Sequence, residues 1–261
     1  MHSASRRQCR IATANLKIHA NTVPWDTNAF GFPVAHIDLI EIIKYQEACN
    51  DWEQFQQWIN SANIRLLSCR LPHDQLNHSL FLEDKGFRFI EMILRPQLTQ
   101  LQQLSIPNNT LMLASASEQD LPELIDIAEN AFHHERYHID PRLDKRSGNV
   151  RYGAWVRSSF CHPTQHLLKF SDQGRIFGFF IIEYVQAKSV YWHLTAIAPK
   201  WQGLGYGAQA WNTALAYFQA QGIESVETAI SARNSKVLNL YAKLNFRFLP
   251  PAMTFHYITF P

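Results

Sequence analysis

The sequence has little that would commit it to nucleic acid, to a membrane or to a disulfide scaffold. Over 261 residues, 24 lysines and arginines stand against 22 acidic residues, a formal net charge of +2 with histidines neutral. So even a balance supplies no basic face for a nucleic-acid backbone. It leaves room for a local basic site on a phosphate-bearing ligand. The four cysteines, Cys9, Cys49, Cys69 and Cys161, are too far apart for a CxxC metal pair or a dense disulfide framework. Free buried thiols in a reducing cytoplasm are the expectation. Met1–Lys17 holds basic residues but no apolar run of a secretion signal. No stretch approaches the roughly 20 apolar residues that span a bilayer. Phe177–Val185 is short and β-branched, as a buried strand would be. The expected partner is therefore neither nucleic acid nor membrane.

The length suits one large domain or two small ones. Gln97, Gln100, Gln102 and Gln103 crowd one side of Pro107-Asn108-Asn109, which is turn chemistry. The spacing predicts an N-terminal domain over 1–98, a linker over 99–109 and a second domain over 110–261. In the second, a strand at Thr110–Ser115 precedes cap chemistry at Ser117 and Asp120 and a helix over Leu121–Ala131. A helix over Asp144–Phe160 follows, then strands at Gln165–Phe170, Ile176–Val185 and Val190–Ala198. A helix over Gly205–Gln221, a strand over Ile223–Ile230, a helix over Asn234–Leu244 and a strand pair over Phe246–Phe260, broken at Pro250-Pro251, complete it. This order predicts an α/β fold with a mixed central sheet and flanking helices.

The first part contains an echo. A strand at Ile64–Leu67, a helix near Gln75–Lys85 and Phe87-Arg88-Phe89 line up with Ile223, the helix Asn234–Leu244 and Phe246-Arg247-Phe248, at an offset of 159 at both ends (223 − 64 and 246 − 87). That predicts a diverged duplication. The first copy is degenerate: no glycine-rich loop precedes its helix at Gln46–Asn60, and Leu82 stands where Tyr241 stands.

Chemistry concentrates between Thr195 and Phe246. A strand is stopped by Pro199, a loop carries Gly203, Gly205 and Gly207 at alternate positions, and a helix begins. Glycines there allow close backbone approach and positive φ. Loop amides and the helix dipole converge on one spot, an anion site suited to a pyrophosphate. One strand later, Asn234 and Tyr241 lie seven residues apart, on one helix face.

Ile197-Ala198-Pro199 with Gln202-Gly203-Leu204-Gly205-Tyr206-Gly207, and then Asn234 to Phe246, together resemble the GNAT acyltransferase superfamily. There a V-x-P strand end precedes Q/R-x-x-G-x-G/A, and N-x-x-A-x-x-L-Y-x-K-x-G-F follows. Val237 and Asn245 depart mildly from that pattern; Asn tolerates the left-handed conformation after a helix. The resemblance covers 110–261 and implies a GNAT-like fold preceded by a degenerate half-repeat of itself. It implies acetyl-CoA as cosubstrate, its pantetheine arm paired with backbone of Thr195, Ala196 and Ile197. Its pyrophosphate would lie on Gln202, Gly203, Leu204, Gly205, Tyr206 and Gly207, with Asn234 nearby. Tyr241 takes the position of the general acid that protonates the departing thiolate; the bland alternative is an aromatic packed on the sheet. His193 stands where many relatives carry a base, and it reads equally as a hydrogen-bonded histidine of a central strand.

The acceptor is expected to be a small-molecule amine. Val23-Pro24-Trp25-Asp26-Thr27-Asn28-Ala29-Phe30-Gly31-Phe32-Pro33-Val34, Arg136–Arg142 and Tyr152–Val156 are similar to pieces of dTDP-fucosamine acetyltransferase relatives. These enzymes acetylate a nucleotide-linked amino-deoxy-sugar, and the likeness implies a diphosphate site at Arg136, His138 and Arg142. Trp25 and Phe30 are expected in the core and Asp26 in a turn. Three rivals are set beside this. His134-Glu135-Arg136-Tyr137-His138 fits HExxH, the zinc metallopeptidase pattern, although Pro141 ends any helix there. Gly205–Ala210 fits a dinucleotide loop, but Pro199–Gln202 intervenes between strand and glycine. A non-catalytic CoA-binding relative is the third.

Overall fold

The computed structural model describes residues 7–259. Residues 1–6 and 260–261, with the Phe260 end of the last expected strand, lie outside the described residues. The first half runs β1 (Gln8–Ala12), β2 (Leu16–Thr22), α1 (Pro24–Phe30), β3 (Val34–Ile42), α2 (Tyr45–Ser61), β4 (Leu66–Pro72), α3 (Leu76–Asp84) and β5 (Arg88–Leu98). The second runs β6 (Met112–Ser115), α4 (Leu121–Ala131), α5 (Arg136–Ile139), α6 (Lys145–Phe160), β7 (Gln165–Asp172), β8 (Arg175–Gln186) and β9 (Ser189–Ile197). It ends with α7 (Tyr206–Ala220), β10 (Ser225–Thr228), β11 (Ile230–Ser231), α8 (Ser235–Lys243) and β12 (Arg247–Ile258).

The fold is mixed α/β, and its strands join in one sheet of order β1-β2-β3-β4-β12-β5-β10-β9-β8-β7-β6, with β11 on β5. The duplication is visible in it. β10, α8 and β12 each start 159 residues after β4, α3 and β5 (225 − 66, 235 − 76 and 247 − 88). β4 pairs parallel with β3, and β10 parallel with β9. The halves then exchange their last strands. β12 lies antiparallel on β4, and β5 lies antiparallel on β10. The two exchanged strands pair with each other at the centre.

Burial explains the elements. β8 reads as an unbroken apolar run because helices cover both its faces. Phe177, Phe180 and Ile182 pack into the core under α7, and Ile176, Phe179 and Ile181 into the core under α4 and α6. α4 starts where expected: the Ser117 N–H and hydroxyl both donate to Asp120 Oδ2 at 2.6 Å. The last strand departs from expectation. It is one strand, and Pro250-Pro251 sit in a bulge where the register on β5 jumps between Leu249 and Ala252. Prolines, lacking N–H, are tolerated at bulges. The strand expected at Ile223–Ile230 is split into β10 and β11, which turns onto β5. Part of the expected linker is docked: Leu101 is fully buried and the Gln102 amide donates to Ile223 O at 2.7 Å. The cysteines are free, yet only Cys9 and Cys69 are buried; Cys161 is exposed. No described helix is long and apolar enough to cross a membrane.

Candidate active site

The site begins where two parallel strands part. β9 pairs with β10 only from Ser189–Ser225 to Trp192–Thr228. Beyond Trp192 its free side is open. On its other side the register with β8 skips at His193, a one-residue bulge. Ala198 N–H donates to Phe177 O at 2.8 Å, toward β8. Backbone groups alternate sides along a strand, so Ala196 also faces β8 while Thr195 and Ile197 face the gap. Of the three residues expected to present backbone to a ligand, Thr195 and Ile197 have theirs on the unpaired side of β9. The Ile197 carbonyl is already taken by the Gln202 side-chain amide, at 2.8 Å. Gln202 thus braces the strand end with its side chain.

A short turn at Pro199–Trp201 leads from β9 to the glycine-bearing loop. Gly203 and Gly205 have φ of 78° and 86°, left-handed values that a side chain resists. Gly205 is the N-cap of α7. The first N–H groups of a helix have no intrahelical partner, so those of Tyr206 and Gly207 remain available beside the loop. Leu204 is exposed. The Tyr206 hydroxyl donates to Asp172 Oδ2 at 2.7 Å, and its ring packs 4.6 Å from Trp201. Tyr206 can therefore offer an anion its amide, while its side chain anchors the helix start.

Asn234 caps α8, its side-chain oxygen accepting from Val237 N–H at 3.3 Å. Two turns on, Tyr241 is 3% exposed, with its ring 4.8 Å from Phe246 and 6.2 Å from Trp211. Burial pushes its phenol up to about 12, against the opposing pull of the Trp211 indole and the Thr228 hydroxyl beside it. Thr228 is the last residue of β10 paired with β9, and its hydroxyl donates to Trp192 O at 2.9 Å. Tyr241 therefore lies at the root of the gap, protonated at neutral pH.

His193 is half-buried among Trp155 and Tyr191, with Nε2 2.8 Å from Glu183 Oε2. Hydrogen bonds from Thr164 and His193 hold the Glu183 carboxyl below its usual range.

The three expected substrate residues separate. Arg136 lines a cleft of about 260 Å³ between the first half's sheet and helices of the second. His138 is buried, with Nε2 2.8 Å from Asn149 Oδ1 and its ring stacked on Tyr152. Arg142 is committed to Asp140, by Nε at 2.9 Å and Nη2 at 2.8 Å. The metallopeptidase pattern fails on geometry. α5 has four residues, begins after His134 and leaves that histidine exposed while His138 is buried, so the two do not share a helix face. No group of three or more metal-ligating side chains occurs among the described residues.

The other expectations at the cleft also change. Trp25 is exposed and lines it, Phe30 is core, and Asp26 is buried within α1, not in a turn. Asp26 accepts from Arg151 Nε at 2.6 Å and from the Tyr137 hydroxyl at 2.9 Å, and Tyr137 in turn accepts from Arg136 at 2.7 Å. Sequence reasoning missed Ser68 and Arg70, which share the cleft. The available signal was their alternation with apolar residues in Leu67-Ser68-Cys69-Arg70-Leu71, which marks one polar face of a strand.

Known proteins resemble this architecture. The family model described as Acetyltransferase (GNAT) family matches residues 122–246. None of the curated proteins compared with the chain matches it. A functionally unknown conserved protein from Staphylococcus epidermidis superposes with a TM-score of 0.66 at 11% identity, over 97% of this chain and 95% of its own. A GCN5-related N-acetyltransferase from Sphaerobacter thermophilus gives 0.65 at 12% identity, over 94% and 77%. A tandem GNAT protein from the clavulanic acid biosynthesis pathway gives 0.66 at 11% identity, over 100% and 85%. At such identities these likenesses speak to the fold alone, and the tandem protein fits the repeated half. The family match covers a little under half of the chain, and beside the superpositions it shows that this region resembles GNAT acetyltransferases in sequence and the chain resembles them in fold.

Proposed function

We propose that the chain is an acyl-CoA-dependent N-acyltransferase that moves an acetyl group from acetyl-CoA to a primary amine of a small molecule, such as a nucleotide-linked amino-deoxy-sugar. One observation carries this reading: the open edge of β9 ends, on one side, in the loop at Gly203–Gly207 and, at its root, in the phenol of Tyr241. These parts fit an acyl-CoA. Backbone of Thr195 and the Ile197 N–H would meet the amides of its arm. The N–H groups of the loop and of Tyr206 and Gly207 would meet its pyrophosphate. When bound, acetyl-CoA supplies an activated acyl group on a thioester.

The chain's own residues then serve the transfer. The amine nitrogen bonds to the acyl carbon and the C–S bond breaks. Tyr241 gives its proton to the departing thiolate and is reprotonated from solvent. The phenol is protonated at neutral pH and so carries the proton this step needs. His193, oriented by Glu183, is the candidate to take the proton lost by the amine. The sugar reading draws support from the Pro24–Val34 and Arg136–Arg142 pieces and from Arg136 and Trp25 meeting in one cleft.

Calorimetric titration of the whole protein with acetyl-CoA and CoA tests the donor site. Saturable binding is expected, and Gly205→Glu, which puts a carboxylate and a strained φ into the anion loop, should abolish it. Wild-type protein that takes up neither ligand would overturn the proposal. Thiol release with amino-sugar nucleotides against plain amines then tests the acceptor class.

A further inference from the structure

The face of the sheet under α1, α5 and α6 is built unlike the rest. On β4, Leu67, Cys69 and Leu71 enter the core under α2 and α3. The alternate residues turn to the other face, where Leu66 packs on Tyr137 of α5 and is followed by buried Ser68 and by Arg70. The row continues across the exchanged strands. Thr254 of β12 stands directly opposite both Arg70 of β4 and Glu91 of β5. Residues in direct register share a face. Arg70 Nε donates to Thr254 Oγ1 at 3.3 Å. The row runs from buried Ser68, Thr254 and Glu91 to Arg70, which opens to solvent at the cleft.

Its charges are only partly matched. Glu91 is 4% exposed; Ser231 hydrogen-bonds to its carboxyl and Arg136 and Arg70 lie near enough to favour its charge, yet its Oε2 has no hydrogen-bond partner. Arg151 of the roof is neutralised by Asp26. Arg136 and Arg70 form no ion pair with a side chain among the described residues; Arg136 spends its guanidinium on the Tyr137 hydroxyl and ring. A buried carboxylate oxygen without a partner is costly unless something else supplies the missing contact. Arg70 and Glu91 sit two strand spacings apart, about 10 Å between backbones. One small molecule can therefore touch both.

We infer that this polar face is the acceptor site, and that it selects an amine carrying an anionic group, with the anion held by Arg70 and Arg136 and the ammonium by Glu91. The inference rests on the acyl-transfer reading for the fate of the amine, but not for its binding. It also gives the strand exchange a purpose, since Arg70, Glu91 and Arg136 come from β4, β5 and α5, one of them from the other half of the chain.

Ligand-observed NMR titration of the whole protein without acyl donor provides the test. The probes are ethanolamine, O-phosphoethanolamine and β-alanine, which share an amine and differ in bearing no anion, a phosphate or a carboxylate. At least one anionic probe should bind about ten-fold or more tightly than ethanolamine, as charge-assisted arginine contacts allow. Which one does so separates phosphate from carboxylate acceptors. Arg70→Met and Arg136→Met should erase that preference, and Glu91→Gln, nearly isosteric, should weaken all three probes. Arg70→Gln replaces Arg70→Met if the latter does not fold. Equal affinity for the three probes, no saturable binding of any, or a preference that survives both arginine variants would overturn the inference. Anion-selective binding without thiol release from acetyl-CoA would instead leave it standing and sink the acyl-transfer reading.

Discussion

The phenol of Tyr241 combines a place in the core with the proposed role of proton donor. Its ring completes the cluster of Trp211 and Phe246, while its hydroxyl ends beside Thr228 where the strands part. Tyr241→Phe keeps the ring and deletes the proton. Turnover should fall by about ten-fold or more with CoA affinity nearly unchanged, as steady-state kinetics and calorimetry would read. Undiminished turnover would remove Tyr241 from the mechanism. Two histidines make a second residue-scale prediction. Burial lowers both His36 and His256 from 6.5 to about 4, with Asp140 partly opposing the fall at His256. Between those values the unfolded chain binds protons that the folded chain refuses, so stability is present above about pH 6.5 and is lost as pH falls toward 4. For His256, which is fully buried, the loss is on the order of 1–3 kcal/mol. Urea denaturation at pH 7.5, 5.5 and 4.5 should show it, and His256→Gln should flatten the slope.

At the scale of elements, β8 and β9 set the gap, and Gly178 sets how closely they lie. A Cβ at Gly178 would stand 2.5 Å from the Ala196 carbonyl oxygen and 2.9 Å from Ile197 Cδ1. Backbone of a central strand yields little, so Gly178→Ala should cost about 1–3 kcal/mol in chemical denaturation. It should weaken CoA binding as well, because Thr195 and Ile197 would be displaced. A neutral substitution would mean that the strand end is looser than its packing indicates. Sequence periodicity located these elements well, since β8 is apolar on both faces and α4 announces its cap at Ser117 and Asp120. It handled the Pro250-Pro251 segment poorly, because a bulge that absorbs two prolines depends on the register of β5 alongside.

For the whole molecule, strand exchange makes the halves interdependent. Residues 110–261 alone would lose β5 from the edge of β10 and would leave β12 without β4. An unpaired edge is unstable and prone to association. That fragment should show no cooperative thermal transition and should aggregate, whereas the full chain unfolds in one. A soluble, cooperatively folding fragment would show that the division at 99–109 is a boundary in space as well as in sequence.

The sequence by itself determined the repeat, most of the order of elements in the second half and the position of the glycine loop and Tyr241, because these are local: periodicity, turn chemistry and fixed spacing along one strand of chain. Only the tertiary structure decided which polar residues meet. Arg136, His138 and Arg142 lie within seven residues, yet one reaches the cleft, one is buried against Asn149 and one is bound to Asp140. Arg70, Thr254 and Glu91 are remote in sequence and stand in one row. Their meeting depends on which strand pairs with which, and that is settled by burying both halves' sheets together.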